Sequence, residues 1–409
     1  MESPWHSTDS LPPDVLRKIR LKTIFDCCKW DPQIGDFPAL AAFPIILDAR
    51  QWRTIAAAAE AMSVEILQAE TEVLRSPGLH GGLGLPGAML REFRRVPESF
   101  DPPRAVRVMR FDFHYTTEGW RVSEVNTDVP GGFVEGSGFS RQVAGCFPTC
   151  GLPGDPAGSY MGALVSRCAP DAAVAFVYAT GYADDRQVVQ YLANQARRLG
   201  AAPIFGSPTQ LVWTSGRAAI QNDGEMRPVD AIVRFFPAEW LPNLPRSCVW
   251  ANLVGGSRTP ISNPVSAILT QSKRFPLIWD ELATRMKNCR TWIPETRKPG
   301  DEPCGGGDEW VLKPAFGRVG DGVLIQDVTS PREAENIGRQ MHRHPERWVR
   351  QRRFVPVPLE HQEDLFYPCI GVFTVDGRAA GAYGRVARRP LVDQYAQDAA
   401  VLIRDGHVC

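Results

Sequence analysis

Apolar and polar residues alternate along residues 109–115, a pattern that predicts a β-strand with one buried face. The next residues, 117–119, suit a three-residue hairpin loop, with Gly119 at the position that needs a positive φ angle. The return strand is expected over residues 120–126. The pattern therefore predicts an antiparallel hairpin with one apolar face and one polar face.

The polar face of this hairpin carries two acids, an arginine and an amide. A turn centred on Glu118 pairs Asp112 with Glu124. The same register pairs Arg110 with Asn126. Opposed carboxylates repel one another across a strand pair, so we expect a cation between them. Two carboxylates and an amide form an all-oxygen ligand set of the kind that Mg²⁺ prefers. The alternative is a solvent-exposed polar face on which Arg110 is the counter-ion.

A continuous apolar run at residues 173–178 predicts a buried strand of a parallel sheet. A helix is expected over residues 186–199, capped by the two aspartates just before it, and further strands are expected at residues 203–205 and 231–236. This β-α-β order predicts a small doubly wound lobe. The lobe lacks a Gly-x-Gly-x-x-Gly motif, so we do not expect a dinucleotide site in it.

Residues 1–100 are expected to be mostly helical, with amphipathic segments at residues 14–25 and 56–74. In the second half of the chain, Asp376-Gly377 lies between two apolar runs and predicts a tight β-hairpin.

A strand that ends near Lys313 runs directly into a glycine-rich turn with Gly317 and Gly320. A lysine and glycine amides after a strand predict a flexible lid near residues 313–325 that covers phosphates. The alternative is an ordinary hairpin turn.

Composition narrows the class of partner. The chain has 409 residues, enough for two or three lobes, and its 46 basic and 46 acidic residues give no net charge. We therefore expect no nucleic acid or membrane partner, but small substrates with local charges. Ten cysteines without a Cys-x-x-Cys pair are typical of reduced thiols. No signal peptide or transmembrane run is recognisable, so a cytoplasmic protein is expected.

Several motifs, in chain order, resemble those of one known family. They are Arg110-x-Asp112, Glu124-x-Asn126-x-Asp128-x-Pro130, Asn263-Pro264 with Gln271-Ser272-Lys273, the run 275–282, and the run 310–320 with Lys313. Together they resemble the synthetase domain of glutathionylspermidine synthase, an ATP-grasp carbon–nitrogen ligase with permuted motif order. The resemblance covers residues 100–409 and includes no amidase domain.

The resemblance implies an α/β fold with α+β lobes, in which an ATP-grasp fold with permuted motif order follows a small doubly wound pre-ATP-grasp lobe. Residues 1–409 are expected to form one synthetase unit. Its expected parts are a mostly helical part at 1–100, a metal-binding hairpin and substrate loop at 101–155, a Rossmann-like substrate-side lobe at 170–255, and nucleotide-binding lobes at 260–409.

The resemblance also implies residue roles. Arg110 would stabilise the transferring phosphoryl group as the catalytic residue. Two Mg²⁺ ions on the ATP phosphates would be held by Asp112, Glu124 and Asn126. ATP contacts are implied for Lys273, Lys313, Gly317, Gly320 and Gln351, and substrate contacts for Asp128, Glu135 and Arg385. For Gln351 the implied partner is the edge of the adenine base, and the alternative is an exposed strand end.

The loop after the hairpin departs from the family pattern. Val129 stands where the family has threonine, and Gly131 and Gly132 follow the proline. Glycine amides in such a loop are expected to approach an anionic substrate closely. The departure leaves the donor acid and the acceptor amine open.

The activity that the resemblance implies is ATP-dependent ligation of a carboxylate to an amine through an acyl phosphate. The expected substrates are a small peptide or amino acid carboxylate and an amine or polyamine. Two other classes stay open: an ATP-binding regulatory or docking protein without ligase activity, and a phosphotransferase that acts on a small metabolite. The oligomeric state is not predicted.

Overall fold

The computed structural model describes residues 3–6, 8–30, 33–34, 37–100, 102–300, 309–317 and 320–404. The helices are α1 Pro13–Cys27, α2 Ala49–Leu74, α3 Gly87–Arg95, α4 Ser140–Ala144, α5 Pro156–Val165, α6 Ala183–Arg198, α7 Ala251–Gly255, α8 Ile268–Gln271, α9 Lys287–Trp292 and α10 Pro331–Arg343. Short 3₁₀ helices cover Pro77–Leu83, Pro208–Gln210, Ala238–Asn243, Val265–Ala267, Phe275–Glu281 and Pro345–Arg347, and a π-helix covers Val134–Phe139.

The strands are β1 Trp5–His6, β2 Gln33–Ile34, β3 Phe37–Pro38, β4 Ile45–Asp48, β5 Val108–Thr116, β6 Gly119–Asn126, β7 Ala173–Tyr178, β8 Ala202–Gly206, β9 Leu211–Thr214, β10 Arg217–Asn222, β11 Glu225–Pro228, β12 Ala231–Phe235, β13 Ile261–Ser262, β14 Thr296–Arg297, β15 Trp310–Pro314, β16 Trp348–Arg352, β17 Leu359–His361, β18 Asp364–Val375, β19 Arg378–Ala387, β20 Gln397–Ala399 and β21 Val401–Arg404. The mixed α/β architecture agrees with the predicted fold class.

A central antiparallel sheet has the strand order β20-β19-β18-β5-β6, and β17 pairs with β18. One face packs on the long helix α2, because β5 turns Phe111 and Phe113 into the core while α2 presents Met62 and Ile66 to it. The alternation predicted for β5 is thereby confirmed. Helix α2 begins at Ala49, earlier than predicted. Its start is fixed by the Asp48 side chain, which accepts from the Arg50 and Gln51 backbone N–H groups as an N-cap.

The turn between β5 and β6 differs from the prediction. Thr116 pairs with Gly119, so the loop has two residues, and Gly119 has the expected positive φ, 88°. The Thr116 hydroxyl closes this turn by donating to the Gly119 carbonyl at 2.6 Å and accepting from the Glu118 N–H at 3.1 Å. The predicted three-residue loop is therefore wrong.

Further from the turn, the register is the predicted one. Asp112 pairs with Glu124 and Arg110 pairs with Asn126, as the sequence predicts. A β-bulge makes the two observations compatible, since the register shifts by one residue at Ser123. The bulge thus returns the polar side chains to one face.

The predicted doubly wound lobe is confirmed as a parallel sheet of order β13-β12-β7-β8, with α6 joining β7 to β8. The predicted capping role of Asp184 and Asp185 is wrong. Helix α6 begins at Ala183 with Tyr182 at the N-cap, so both aspartates lie in the first turn. There they still face the positive end of the helix dipole.

Strands from the N-terminal and C-terminal parts of the described chain meet in a three-stranded sheet of order β1-β4-β21. Strand β4 pairs in parallel with β21 and antiparallel with β1, which ties the N-terminal part to the C-terminal part. The predicted hairpin at Asp376-Gly377 is confirmed, with φ angles of 49° and 81° that match a two-residue turn of type I′. Eight cysteines in the described residues are all free; Cys304 and Cys409 lie outside those residues. Within the same residues, no helix is long and apolar enough to cross a membrane.

Candidate active site

A cavity of about 590 Å³ lies over the polar face of the β5–β6 hairpin. Its walls come from the central sheet, the parallel lobe and the β15–β16 pair. The structure brings together on its lining Arg110, Asp112, Glu124, Asn126, Asp128, Glu135, Lys273, Lys313, Gly317, Gly320, Gln351 and Arg385. All the site residues predicted from sequence therefore reach one cavity.

Arg110 and Asp112 form a bidentate ion pair at the floor of this cavity. The Arg110 Nε donates to Asp112 Oδ1 at 2.7 Å and its Nη2 donates to Oδ2 at 2.9 Å. Burial alone would lower the pKa of Arg110, but the Asp112 carboxylate more than offsets this and raises it. The side chain crosses Gly371, where a Cβ would lie 2.8 Å from the Arg110 Cδ. The guanidinium is thus held rigid and charged.

Burial decides between the two interpretations of this face. The side chains of Arg110 and Asp112 are only 15% and 12% exposed. The alternative of a solvent-exposed polar face is therefore wrong, although Arg110 is indeed the counter-ion of Asp112.

Two lysines flank the acid on the return strand. Lys273 Nζ lies 2.7 Å from Glu124 Oε1 and 3.3 Å from the Gly317 carbonyl oxygen. Lys313 Nζ lies 3.1 Å from the Ser123 carbonyl oxygen and is buried. Burial lowers the pKa of Lys313 to about 8, and the charge of Lys273 acts in the same direction against the opposing effect of Glu124. Two converging ammonium groups suit a polyphosphate better than a single carboxylate.

The predicted metal ligands stand on one face, and their chemistry fits Mg²⁺. Asn126 donates through Nδ2 to Asp112 Oδ2 at 3.1 Å, which leaves its carbonyl oxygen for a cation. Among the described residues no group of three or more His, Cys, Asp or Glu side chains could hold a metal ion. A site here would therefore depend on the Asn126 amide as the third ligand beside Asp112 and Glu124, an all-oxygen set that suits Mg²⁺.

Gln351 and His114 also line the cavity. Gln351 Oε1 accepts from Lys313 Nζ at 2.6 Å, and its Nε2 donates to Thr296 Oγ1 at 3.2 Å. The alternative of an exposed strand end is wrong because Gln351 is buried, and the contact of Gln351 with adenine stays a prediction. Burial, followed by the charge of Lys313, lowers the pKa of His114 to about 3, so this ring is neutral.

The glycine-rich turn lies beside these lysines. After β15 the chain folds back, and Leu312 and Leu324 exchange backbone hydrogen bonds of 3.1 and 2.9 Å. Gly320 has a φ angle of 73°, and a Cβ there would lie 2.7 Å from the Val392 carbonyl oxygen. Residues 318–319 of the predicted lid lie outside the described residues, so its closing motion stays a prediction.

The π-helix places Glu135 at the opposite end of the cavity. Glu135 pairs with Lys29, and its Oε2 is a buried atom that lacks a hydrogen-bond partner in the described part of the chain. Arg385 donates through Nη2 to the Asp393 carbonyl at 2.7 Å, while its buried Nε likewise lacks one. This end therefore offers an unused acceptor and an unused donor, as a polar substrate requires.

Asp128 has a different environment from the other predicted substrate residues. Its carboxylate pairs with the fully buried Arg234 and accepts from the Ala238 N–H at 2.9 Å. Arg234 also donates to the Phe236 carbonyl at 2.6 Å. These contacts give Asp128 a positioning role between the hairpin and the parallel lobe, and its substrate contact stays a prediction.

The glycines after Pro130 have contacts that the sequence did not predict. The Gly131 carbonyl accepts from Arg110 Nη1 at 2.8 Å. Gly132 has a φ angle of 93°, and a Cβ there would lie 2.7 Å from the Tyr383 ring. The departure from the family pattern thus lets this loop pack under Tyr383, and the approach of the amides to an anion stays a prediction.

Sequence reasoning missed Lys29 and Tyr383, which line the cavity, and Arg234, which pairs with Asp128. Arg234 carried a usable signal, since it is a charged residue inside the apolar run that predicts strand β12. Lys29 carried a weaker one, because only seven lysines occur in the chain. Tyr383 carried none.

Comparisons with known proteins bear on the family and the fold. The model of the family described as glutathionylspermidine synthase preATP-grasp matches residues 42–404. The structure of a glutathione synthetase-like effector, GSS30, from Globodera pallida in its apo form is similar with a TM-score of 0.64. That match has 12% identity and covers 96% of this chain and 99% of the other.

A second solved structure is a provisionally assigned gamma-glutamylcysteine synthetase from Methylobacillus flagellatus KT. It has a TM-score of 0.45 and 12% identity, and the match covers 81% of this chain and 87% of the other. No curated protein matches the chain. At these identities the structural matches describe the fold alone.

Proposed function

The chain belongs to the glutathionylspermidine synthase preATP-grasp family, and from that premise we propose that it joins a carboxylate to an amine at the expense of ATP, through an acyl phosphate. Family membership supports the general class, an ATP-dependent carboxylate–amine ligase. The donor is proposed to be a small peptide or amino acid, and the acceptor an amine.

One observation carries the proposal. Arg110 and two lysines, Lys273 and Lys313, converge on the acid-bearing face of the hairpin within one cavity. Phosphoryl transfer is catalysed mainly by positioning and by neutralising charge, which these cations supply. A protein that only docked a partner would not need three largely buried cations around one cavity.

In the proposed reaction the donor carboxylate attacks the γ-phosphoryl group, ADP leaves, and an acyl phosphate remains. The amine then attacks the acyl carbon, and phosphate leaves. Arg110 would bind the transferring phosphoryl group, and Lys273 and Lys313 would bind the phosphates that become ADP. Mg²⁺ held by Asp112, Glu124 and Asn126 would supply further charge neutralisation. The loop with Gly317 and Gly320 would exclude water from the acyl phosphate.

Hydroxylamine trapping tests the proposal directly. We expect Mg²⁺-dependent ADP release and hydroxamate formation with one donor from a panel of amino acid and small peptide carboxylates. The Glu124→Gln variant should lose both products, because it removes a proposed metal ligand beside Lys273. Glu360→Gln is the matched control, since Glu360 is exposed on β17. ADP with a stable phosphorylated product, or ATP binding with no ADP from any donor, would contradict the proposal.

The low pKa of Lys313 predicts a pH dependence of ATP affinity. A bound triphosphate favours the charged lysine, so the complex keeps a proton that the free protein loses near pH 8. Affinity should therefore fall as pH rises, by about tenfold between pH 8 and 9.5. Calorimetric titration with a non-hydrolysable ATP analogue measures this, and Lys313→Arg should flatten the profile. An unchanged slope in that variant would show that another group titrates.

A further inference from the structure

Lys29 reaches the cavity from a segment that precedes the family match, which begins at residue 42. Helix α1 ends at Cys27, and Cys28 then takes a left-handed conformation with a φ angle of 62°. The N–H groups of Cys28 and Lys29 both donate to the Thr23 carbonyl. This C-cap turns the chain sharply and directs the lysine towards the cavity.

The end of α1 is seated on the π-helix that carries Glu135. A Cβ at Gly138 of that helix would lie 2.6 Å from the Cys27 Sγ, so only glycine allows this contact. The Gln142 side chain, just beyond the π-helix, also donates to this sulfur at 3.4 Å. The packing of α1 on the π-helix therefore fixes the backbone position of Lys29.

The ammonium group of Lys29 lies between two carboxylates. Its Nζ pairs with Glu135 Oε1 and lies 3.0 Å from Asp398 Oδ2. The backbone of Asp398 is held by Ala39 and Ala41 through hydrogen bonds of 2.7 and 2.8 Å. The Tyr383 hydroxyl donates to Asp398 Oδ1 at 2.7 Å. The N-terminal part of the chain thus positions Asp398 through Ala39 and Ala41, and it neutralises Asp398 and Glu135 through Lys29.

Charge is balanced at this end of the cavity. Burial alone would lower the pKa of Lys29, but Asp398 and Glu135 raise it well above its usual value, so it stays charged. Three cations face three carboxylates: Lys29, Arg110 and Arg385 against Asp112, Glu135 and Asp398. A further ammonium group would find the Glu135 and Asp398 carboxylates already paired with Lys29, whereas the unused Glu135 Oε2 still needs one hydrogen-bond donor.

We propose that Lys29 is a specificity-determining residue. Its ammonium group occupies the place between Glu135 and Asp398 that a substrate ammonium group would otherwise take. This end of the cavity therefore accepts a substrate group that is a neutral hydrogen-bond donor. Amide N–H and hydroxyl groups are donors of that kind. Specificity often depends on a group that repels the wrong ligand as well as on groups that bind the right one. Lys29 would repel a substrate ammonium group. The claim that Lys29 selects between substrates rests on the proposed ligase function. The claim that Lys29 occupies the site between Glu135 and Asp398 does not.

Binding of short alkylammonium ions tests whether Lys29 occupies an ammonium site between Glu135 and Asp398. Lys29→Ala should open a space with two carboxylates, so ethylammonium should bind this variant at least about tenfold more tightly than the wild type. Calorimetric titration of the full chain, with thermal unfolding as a second readout, measures this without turnover. Adding Glu135→Gln to Lys29→Ala should remove the gain, whereas the exposed lysine variant Lys22→Ala should behave as the wild type.

A purely structural ion pair predicts other results. Ethylammonium binding that is no tighter to Lys29→Ala than to the wild type, or that survives Glu135→Gln, would overturn the proposal. If Lys29→Ala does not fold, Lys29→Ala with Asp398→Asn keeps the charge balanced and takes its place. That double variant retains Glu135, whose carboxylate has lost its Lys29 partner, and should show part of the gain.

The substrate part has its own measurement. Once an acceptor amine is found, kcat/KM is compared for that amine and for an analogue with a second ammonium group. Lys29→Ala should shift the ratio towards the dicationic analogue by about tenfold. No shift despite tighter ethylammonium binding would overturn the specificity role. Because the binding measurement needs no ligation, its outcome does not depend on the proposed function.

Discussion

Replacing Arg110 with lysine is expected to lower the rate of ADP release by about 10³-fold while ATP binding changes little. An arginine that stabilises a transferring phosphoryl group contributes on that scale. Lysine keeps the positive charge opposite Asp112, but it lacks the two-pronged geometry that the pair uses at 2.7 and 2.9 Å. The loss should therefore fall on kcat, because it concerns the transition state more than the bound nucleotide.

Steady-state ADP release at saturating ATP measures this prediction, and calorimetric ATP titration of the same variant separates binding from turnover. Arg388→Lys is the matched control, since Arg388 pairs with Asp364 at the surface and should keep wild-type turnover. A kcat within tenfold of the wild type in Arg110→Lys would remove Arg110 from the catalytic role. An equal loss of kcat in Arg110→Lys and Arg388→Lys would mean that both substitutions disturb the central sheet, and that Arg110 has no specific role in catalysis.

The face of the hairpin was predictable because strand periodicity is a local property. Alternation alone set Phe111 inward and Asp112 outward, and both orientations are confirmed. The turn was not predictable in the same way. The Thr116 hydroxyl closes a loop that is one residue shorter than predicted, and the bulge at Ser123 adds one residue to β6. The two differences from the prediction cancel, so the pairing of Asp112 with Glu124 is the predicted one.

Contacts between residues far apart in the chain could not be read from local patterns. Lys29 meets Asp398 across most of the chain, and no periodicity relates the two. Gly132 was expected to approach an anion, but its close packing under the Tyr383 ring, which leaves no room for a Cβ, was not predictable from its neighbours in sequence. The individual site residues and their shared face were therefore predictable, but the partners that neutralise them were not.

Loss of the Arg234 side chain is expected to have the largest effect on stability. Its guanidinium is fully buried against Asp128, and it also donates to the Phe236 and Asn263 carbonyls. Removing one partner of such a pair leaves a buried charge without compensation. Arg234→Met should therefore lower the free energy of unfolding by about 3–5 kcal/mol. Urea unfolding followed by circular dichroism measures it.

The reason for this loss can be separated from simple loss of packing. Adding Asp128→Asn to Arg234→Met removes the orphaned charge but keeps an oxygen for the Ala238 N–H, so it should recover at least about 1 kcal/mol. Arg141→Met, at an exposed pair, should stay within about 0.5 kcal/mol of the wild type. A double variant no more stable than Arg234→Met would mean that packing and backbone hydrogen bonds, and not the charge of Asp128, hold the parallel lobe to the hairpin.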